Sequence, residues 1–260
     1  MINTKHYSRF RFARGPLAAA YDNLETNKPD FPLFAEMAKR RFPVRVLRYW
    51  WLGLVIGEEV KELGRPLTVV DVGCDRGTIK RIVLPIFGAK WIGLDIDTNR
   101  EGIGLANYDE LIECDFDQGL ALPDGEADIV ICSHVLEHLP RPDFTMREIN
   151  RIMKPGGLLL VGVPVTLKLF AKIREYQFEK QLKAGTRFRW QHVRAYWRQR
   201  LEKLARESGF DVEFSSGTAI IRKKGSRLED HSSWIRLNQI GAALFPALGQ
   251  EICMQLRKPY

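Results

Sequence analysis

The feature that most restricts the fold is an apolar run that ends in a glycine-containing turn. The run covers residues 69–72 and includes Asp71. Gly73 and Gly77 come after the run, and a helical pattern begins at Thr78. Glycine lets a backbone take a positive φ and approach a ligand closely. Open α/β sheets bind ligands at the carboxyl ends of their strands. The segment therefore predicts a ligand-binding loop at the end of a buried strand.

Short apolar stretches alternate with helical patterns from residue 67 onward. Such alternation predicts an α/β fold with a parallel sheet and helices on both faces. Pro155-Gly156-Gly157 is predicted to end a helix over residues 144–153 and to turn the chain into the fifth strand. The predicted strands span residues 67–72, 91–95, 110–114, 128–133, 158–163, 211–215 and 251–256.

The chain is predicted to divide into a leader and one larger domain. Residues 1–65 are interpreted as a helical N-terminal extension, with its clearest helix over residues 45–63. Residues 66–260 form the predicted sheet domain, in which residues 166–191 are a helical insertion after the fifth strand. A further helix is expected near residues 194–208, and another over residues 233–245.

Composition indicates a protein of the cytoplasm. No apolar run approaches the ~20 residues of a membrane span. The four cysteines form no C-x-x-C pair, which predicts neither a zinc nor a redox site and fits a reducing compartment. The basic first 20 residues are interpreted as a loose arm rather than a transit segment.

The net charge of +8 is compatible with an acidic partner or with a merely solubilising surface.

Five segments in order resemble the motifs of one enzyme family. They are residues 70–77 (Val-Asp-Val-Gly-Cys-Asp-Arg-Gly), 91–97, 113–116, 127–139 and 147–157. The chain resembles the class I S-adenosylmethionine-dependent methyltransferases of small-molecule type, and is similar to the ubiquinone/menaquinone-biosynthesis methyltransferase-like group. The resemblance covers roughly residues 67–165. It implies a Rossmann-like, seven-stranded, mostly parallel sheet.

The resemblance implies S-adenosylmethionine as methyl donor and S-adenosylhomocysteine as product. Asp95 is expected to accept hydrogen bonds from the two ribose hydroxyls, which suits a carboxylate because it offers two acceptors. Asp115 is expected to receive the adenine amino group, and the loop from Gly73 to Gly77 to lie under the methionine moiety. The cofactor-binding residues implied are Asp71, Gly73, Cys74, Asp75, Gly77, Asp95, Ile96, Asp115, Phe116 and Ser133.

The first motif departs from the family pattern at Asp75, where the family usually has a second glycine. Aspartate tolerates left-handed backbone angles better than most residues, so the turn can persist. Two roles are open for the carboxylate: a contact to the cofactor ammonium group, or crowding of the pocket.

Histidines are the natural general bases near neutral pH. His192 and His134 are the candidate catalytic bases, and His138 is a candidate substrate-binding residue with a structural role as the alternative. Some relatives bind a divalent cation through Glu-x-x-Glu-His at this place. The present chain has His134 where the first carboxylate would stand, and Mg²⁺ prefers oxygen ligands. No metal is therefore predicted.

The stretch expected to lie near the methyl acceptor is strongly basic. Residues 168–206 contain twelve basic and three acidic residues, interleaved with aromatic residues. This stretch predicts a solvated lid, a site for an anionic acceptor such as a phosphorylated sugar, glycan or lipid-linked molecule, or a nucleic-acid groove. Arg187, Arg189 and Arg194 are the candidate acceptor contacts.

The predicted function is methyl transfer to a small acceptor by in-line displacement. We expect neither a nucleic-acid partner nor a membrane span, and the sequence leaves the oligomeric state open. The alternatives are a catalytically inactive cofactor-binding or scaffold relative, and an RNA methyltransferase.

Overall fold

A single seven-stranded sheet organises the protein. The computed structural model describes residues 43–82, 89–185, 191–221, 228 and 231–260. The strand order is β3-β2-β1-β4-β5-β7-β6, and β7 runs antiparallel to both of its neighbours. The strands are β1 (Leu67–Val72), β2 (Ala89–Asp95), β3 (Glu110–Glu113), β4 (Ala127–Ser133), β5 (Met153–Pro164), β6 (Asp211–Gly217) and β7 (Glu251–Arg257). The Rossmann-like, mostly parallel sheet expected from the sequence is confirmed.

Six α-helices lie within the described residues. No helix among them is long and apolar enough to cross a bilayer. Short 3-10 turns follow β2, β4 and the last helix at Ile103–Ala106, Leu136–His138 and Pro246–Leu248. The helices are α1 (Pro43–Leu63), α2 (Thr78–Ile82), α3 (Pro142–Ile152), α4 (Lys168–Lys183), α5 (Arg198–Glu207) and α6 (Ser232–Leu244).

Both faces of the sheet are covered, because neighbouring residues of β4 point to opposite sides. Val130 and Cys132 belong to one buried cluster, together with Ile149 of α3. Ile129 and Ile131 belong to the other cluster, which is covered by the aromatic and aliphatic side chains of α1. The continuous apolar composition of β4 follows from this double burial.

The Pro155-Gly156-Gly157 segment follows the end of the helix, as predicted, but forms an irregularity within β5 rather than a turn before it. Helix α3 ends at Ile152, and β5 begins at Met153, so the three residues lie inside the strand. Gly156 has a φ of 75° and donates its N–H to Lys258 O at 2.9 Å. Lys258 N–H in turn donates to Gly157 O at 3.0 Å, so the pairing of β5 with the C-terminal segment absorbs the bend.

The segment between α4 and α5 also differs from the prediction. Helix α5 begins at Arg198, whereas the sequence pattern predicted a start near Arg194. Val193 and Arg194 instead donate their backbone N–H groups to Glu137 O at 2.8 and 3.1 Å. Residues 1–42, which hold most of the predicted leader, lie outside the described residues.

Burial predicts where the fold is sensitive. Leu160, in the middle of β5, is completely buried. Truncation to alanine removes apolar contacts and leaves a cavity, so Leu160→Ala should lower the free energy of unfolding by about 2–5 kcal/mol. Leu111→Ala, on the half-exposed edge strand β3, serves as the matched control and should cost less than about 1 kcal/mol. Urea unfolding monitored by circular dichroism measures both, and equal losses would contradict this view of the core.

Candidate functional site

A glycine loop connects β1 to α2 at the carboxyl edge of the sheet. Gly73, Asp75 and Gly77 have φ values of 75°, 48° and 68°. A Cβ on Gly73 would lie 2.4 Å from Val135 Cγ2, which makes glycine necessary at that position. Gly73 N–H donates to Leu94 O at 2.8 Å, so the turn is fixed directly to the neighbouring strand β2.

Asp95 stands at the end of β2 with nearly its whole side chain buried. Its Oδ2 accepts the backbone N–H of Asp75 at 2.8 Å, and its Oδ1 accepts that of Asp97 at 3.2 Å. Arg100 donates from Nη2 to Asp95 Oδ1 at 2.8 Å, and its Nη1 contacts the Asp75 carboxylate. The position predicted to receive the ribose hydroxyls therefore already holds a guanidinium.

Arg100 was not among the site residues predicted from the sequence. No local signal marks it, because the Asp75 side chain is 57% exposed and its carboxylate does not require a nearby positive charge. Arg100 follows Asp95 by only five residues and pairs with both carboxylates.

Asp71 is completely buried in β1. Its Oδ2 accepts the hydroxyl of Tyr108 at 2.6 Å, whereas its Oδ1 has no hydrogen-bond partner among the described residues. Burial raises the pKa of Asp71 to about 7, although the Tyr108 hydrogen bond opposes the shift. A buried oxygen without a donor, next to the glycine loop, fits a ligand that brings a cation or an N–H group.

The remaining predicted cofactor residues lie on the same edge of the sheet. Asp115 follows β3 and caps its own turn, accepting Asp117 N–H at 3.0 Å and Gln118 Nε2 at 3.0 Å. Phe116 is buried, Ile96 is exposed, and Ser133 is the last residue of β4. Cys74 is buried inside the loop.

His134 lies in a chain of buried charges. It adopts a left-handed φ of 59°, with Nδ1 3.2 Å from Glu137 Oε1 and Nε2 3.2 Å from Glu251 Oε1. Arg48 of α1 donates from Nε and Nη2 to Glu251 at 2.5 and 2.7 Å. Burial and Arg48 lower the pKa of His134, but the two carboxylates outweigh them and raise it above its usual 6.5. Because a raised pKa keeps the imidazole protonated to higher pH, His134 is less suited than an ordinary histidine to accept a proton.

His138 and His192 form a second pair next to this chain. Their rings meet edge to face with centroids 4.8 Å apart, and Nδ1 of His138 lies 3.3 Å from Gln191 O. The hydrogen bonds from residues 193 and 194 to Glu137 O hold this segment against the turn after β4. Partial burial, with His138, His134 and Arg174 as neighbouring cations, lowers the pKa of His192 despite the opposing effect of Glu137.

Glu137, His138 and His192 could also hold a cation. Their ligand atoms lie within 4.8 Å of one another, and Glu137 is almost completely buried. Two imidazoles and one carboxylate suit transition metals rather than Mg²⁺. The expectation of no metal stays a prediction, and this cluster is where it can be tested.

The basic stretch is less available than its composition suggested. Arg194 donates to Pro140 O at 2.7 Å, Arg198 pairs with Glu202 at 2.7 Å, and Arg200 pairs with Glu175. Arg187 and Arg189, the other two predicted acceptor contacts, lie outside the described residues.

The Arg100 contact generates a prediction on donor binding. If Asp95 receives the ribose hydroxyls of S-adenosylmethionine as predicted, Arg100 competes with those hydroxyls for its carboxylate. Arg100→Ala should tighten binding about 5-fold, equivalent to about 1 kcal/mol, in isothermal titration calorimetry. Arg147→Ala removes the same charge from an exposed position on α3, outside the glycine loop, and is the control. Weaker binding by Arg100→Ala would instead mean that Arg100 orients Asp95 for the ligand.

Comparisons with known proteins agree with the fold. The chain is 29% identical over 128 residues to a ubiquinone biosynthesis O-methyltransferase of Paraburkholderia xenovorans, covering 46% of this chain and 55% of that protein. It is 33% identical over 99 residues to a 2-methyl-6-phytyl-1,4-hydroquinone methyltransferase of Synechocystis, covering 36% and 31% of the two chains. The chain spans between 31% and 55% of the length of the first curated relatives that it matches.

A solved structure and a family model complete the comparison. The structure of the CurJ carbon methyltransferase matches with a TM-score of 0.58 and 14% identity, covering 94% of this chain and 71% of that one, which supports the fold alone. The model of the methyltransferase domain family matches residues 40–214, well over half of the chain and including the whole glycine-loop edge from β1 to β5. The chain therefore belongs to the methyltransferase domain family.

Proposed function

We propose that the protein is an S-adenosylmethionine-dependent methyltransferase that acts on the hydroxyl group of a small molecule. The observation that carries the proposal is the set of carboxylates around the glycine loop, with one buried oxygen of Asp71 lacking a donor. Carboxylates are acceptors, and the methyl donor presents hydroxyl, amino and ammonium donors. The donor set of the ligand and the acceptor set of the site are complementary.

Three residues would bind different parts of the methyl donor. Asp95 would accept the ribose hydroxyls once Arg100 turns away from it, and Asp71 would receive the ammonium end of the methionine moiety. Asp115 would meet the adenine amino group beside its own capped turn. When bound, S-adenosylmethionine supplies an electrophilic methyl group attached to a positively charged sulfur.

His192 is the proposed general base. Its lowered pKa leaves the imidazole neutral at physiological pH, so it can accept the hydroxyl proton of the acceptor. The acceptor oxygen forms a bond to the methyl carbon while the carbon–sulfur bond breaks, and the proton passes to His192. Alignment of the oxygen with that bond is the main contribution of the protein.

His134 and His138 are assigned supporting roles. His134, held cationic between Glu137 and Glu251, compensates buried charge and fixes the turn after β4. His138 contacts the ring of His192 edge to face and limits its rotation. His134 is therefore a positioning residue in this proposal rather than a second base.

The acceptor is proposed to be a hydroxylated ring with an apolar tail. The two relatives described above are named for ubiquinone biosynthesis and for a phytyl hydroquinone. A phenolic hydroxyl would supply the proton that His192 accepts, and this acceptor needs no arginine contact, since Arg194 already donates to Pro140 O. Phosphorylated sugars and glycans are less favoured, because Arg198 and Arg200 are already paired with glutamates.

Donor binding tests the function directly. Asp95→Ala should weaken S-adenosylmethionine binding by roughly 10- to 100-fold in isothermal titration calorimetry, because a hydrogen bond to a charged acceptor contributes about 1.5–3 kcal/mol. Asp124→Ala, at a largely exposed carboxylate away from the loop, is the control and should bind as the wild type does. If the wild-type protein binds no donor at millimolar concentration, the scaffold alternative replaces the enzyme.

The base assignment predicts a pH profile. His192→Gln should lower kcat by about 10²–10³-fold while the Kd for the donor stays unchanged. In the wild type, kcat/KM should fall as the pH drops below the usual value of 6.5 through the lowered pKa of His192, and stay level above it. His231→Gln, at another exposed histidine, should behave as the wild type does. Activity lost to a chelator and restored by a divalent cation would assign His192 to a metal instead.

A further inference from the structure

Helix α4 has two apolar faces, and only one of them is covered. Ala171 is completely buried and Phe178 is partly buried, with its ring centroid 6.4 Å from that of His192. On the opposite side, Leu169, Ile173 and Tyr176 are 68%, 47% and 70% exposed. Their spacing of four and three residues aligns them along one side of the helix. A row of large apolar side chains in water indicates a surface that binds something.

The described residues contain a second exposed apolar segment, which leads into β7. Leu237, Leu244, Phe245 and Leu248, from α6 and the 3-10 turn that follows it, all have at least 46% of their surface exposed. The chain passes from this segment directly into β7, and α4 follows directly after β5. Strands β5 and β7 are paired there, and Val165 N–H of the β5 end donates to Gln250 O at 3.0 Å. Both segments therefore project from the same edge of the sheet.

The charges around these segments have one predominant sign. Helix α4 contains five basic and two acidic residues, and Glu175, one of the acids, is paired with Arg200. Lys180 continues the row of Leu169, Ile173 and Tyr176 by one further turn. The stretch from Ser232 to Gln250 contains one arginine and no acid. A partner that covers this surface must tolerate or supply negative charge.

We propose that this surface, formed by the exposed side of α4 and by residues 237–248, docks onto an anionic lipid bilayer. A helix with apolar side chains flanked by lysines lies in the bilayer interface, where apolar burial and attraction to anionic headgroups add together. Self-association is less favourable, because two copies would bring two basic helices together. The docking does not depend on the identity of the methyl acceptor.

The geometry also connects this surface to the candidate base. Glu175 Oε1 accepts the backbone N–H of Ala195 at 3.3 Å, and Gln191 Nε2 donates to Gln181 Oε1 at 2.6 Å. The segment that carries His192 is therefore attached to α4 on both sides of that histidine. Docking would place the acceptor side of the protein against the membrane.

Vesicle sedimentation with the full-length protein tests the proposal. The wild type should sediment with vesicles of phosphatidylcholine and phosphatidylglycerol, sediment much less with phosphatidylcholine alone, and be released by added salt. The double variant Leu169→Ser/Ile173→Ser should lose at least about 10-fold in partition coefficient, since burial of one such side chain is worth about 1.5–3 kcal/mol. Lys172→Gln/Lys180→Gln should lose a similar factor, at about 1 kcal/mol per lysine.

Two matched controls separate docking from unfolding. Leu63→Ser removes an exposed leucine at the end of α1, on the opposite edge of the sheet, and Lys203→Gln removes an exposed charge from α5. Both should bind vesicles as the wild type does, and all variants should keep the wild-type thermal unfolding midpoint. Failure to bind anionic vesicles, or equal binding by the α4 variants, would overturn the proposal. So would a dimer in sedimentation equilibrium that Leu169→Ser/Ile173→Ser dissociates, because the surface would then be a subunit interface.

Discussion

Two carboxylates buried at the carboxyl edge of the sheet impose the main constraint on this protein. Glu137 follows β4 and Glu251 begins β7, and a buried charge without compensation is strongly unfavourable. His134 lies between the two, and Arg48 brings a second cation from α1. Burial alone would raise the pKa of Glu251, but Arg48 and His134 lower it instead. Because the compensating cations come from different elements, the end of β4, the start of β7 and α1 are held together at one point.

The geometry of the candidate site follows from this compensation. The left-handed backbone of His134 is the strained conformation that lets its ring reach both carboxylates. Glu137 then presents its backbone oxygen to the segment at residues 193–194, and this contact places His192 against His138. The same network gives the two catalytic candidates opposite properties, since the carboxylates raise the pKa of His134 whereas burial and neighbouring cations lower that of His192.

The sequence predicts strands well here because buried parallel strands are continuous apolar runs, and β1 matches its predicted bounds. Contacts between distant residues have no such local signal. His134 and Glu251 are far apart along the chain, so nothing near His134 indicates that two carboxylates will surround its ring. The contact between Arg100 and Asp75 depends in the same way on how the loops after β1 and β2 meet. Pro155-Gly156-Gly157 has a strong local signal for a turn, yet Gly156 and Gly157 form backbone hydrogen bonds with Lys258, so the segment becomes an irregular part of β5.

Charge of opposite sign is separated along one edge of the sheet. The acids Asp71, Asp75 and Asp95 surround the glycine loop, while α4 contains five basic and two acidic residues. A charge count over residues 168–206 predicts one basic region. It does not distinguish the apolar side of α4, the lysines of α4 and the arginines at 198 and 200 that are paired with glutamates. The helix geometry separates them, because the exposed apolar row of α4 continues into Lys180, whereas Glu175 on the other side of the helix is paired with Arg200. In the proposed docked state, an anionic bilayer would attract the basic end and repel the acidic loop. The pocket for the cationic, water-soluble methyl donor would therefore stay open to solvent while the acceptor side faces the lipid.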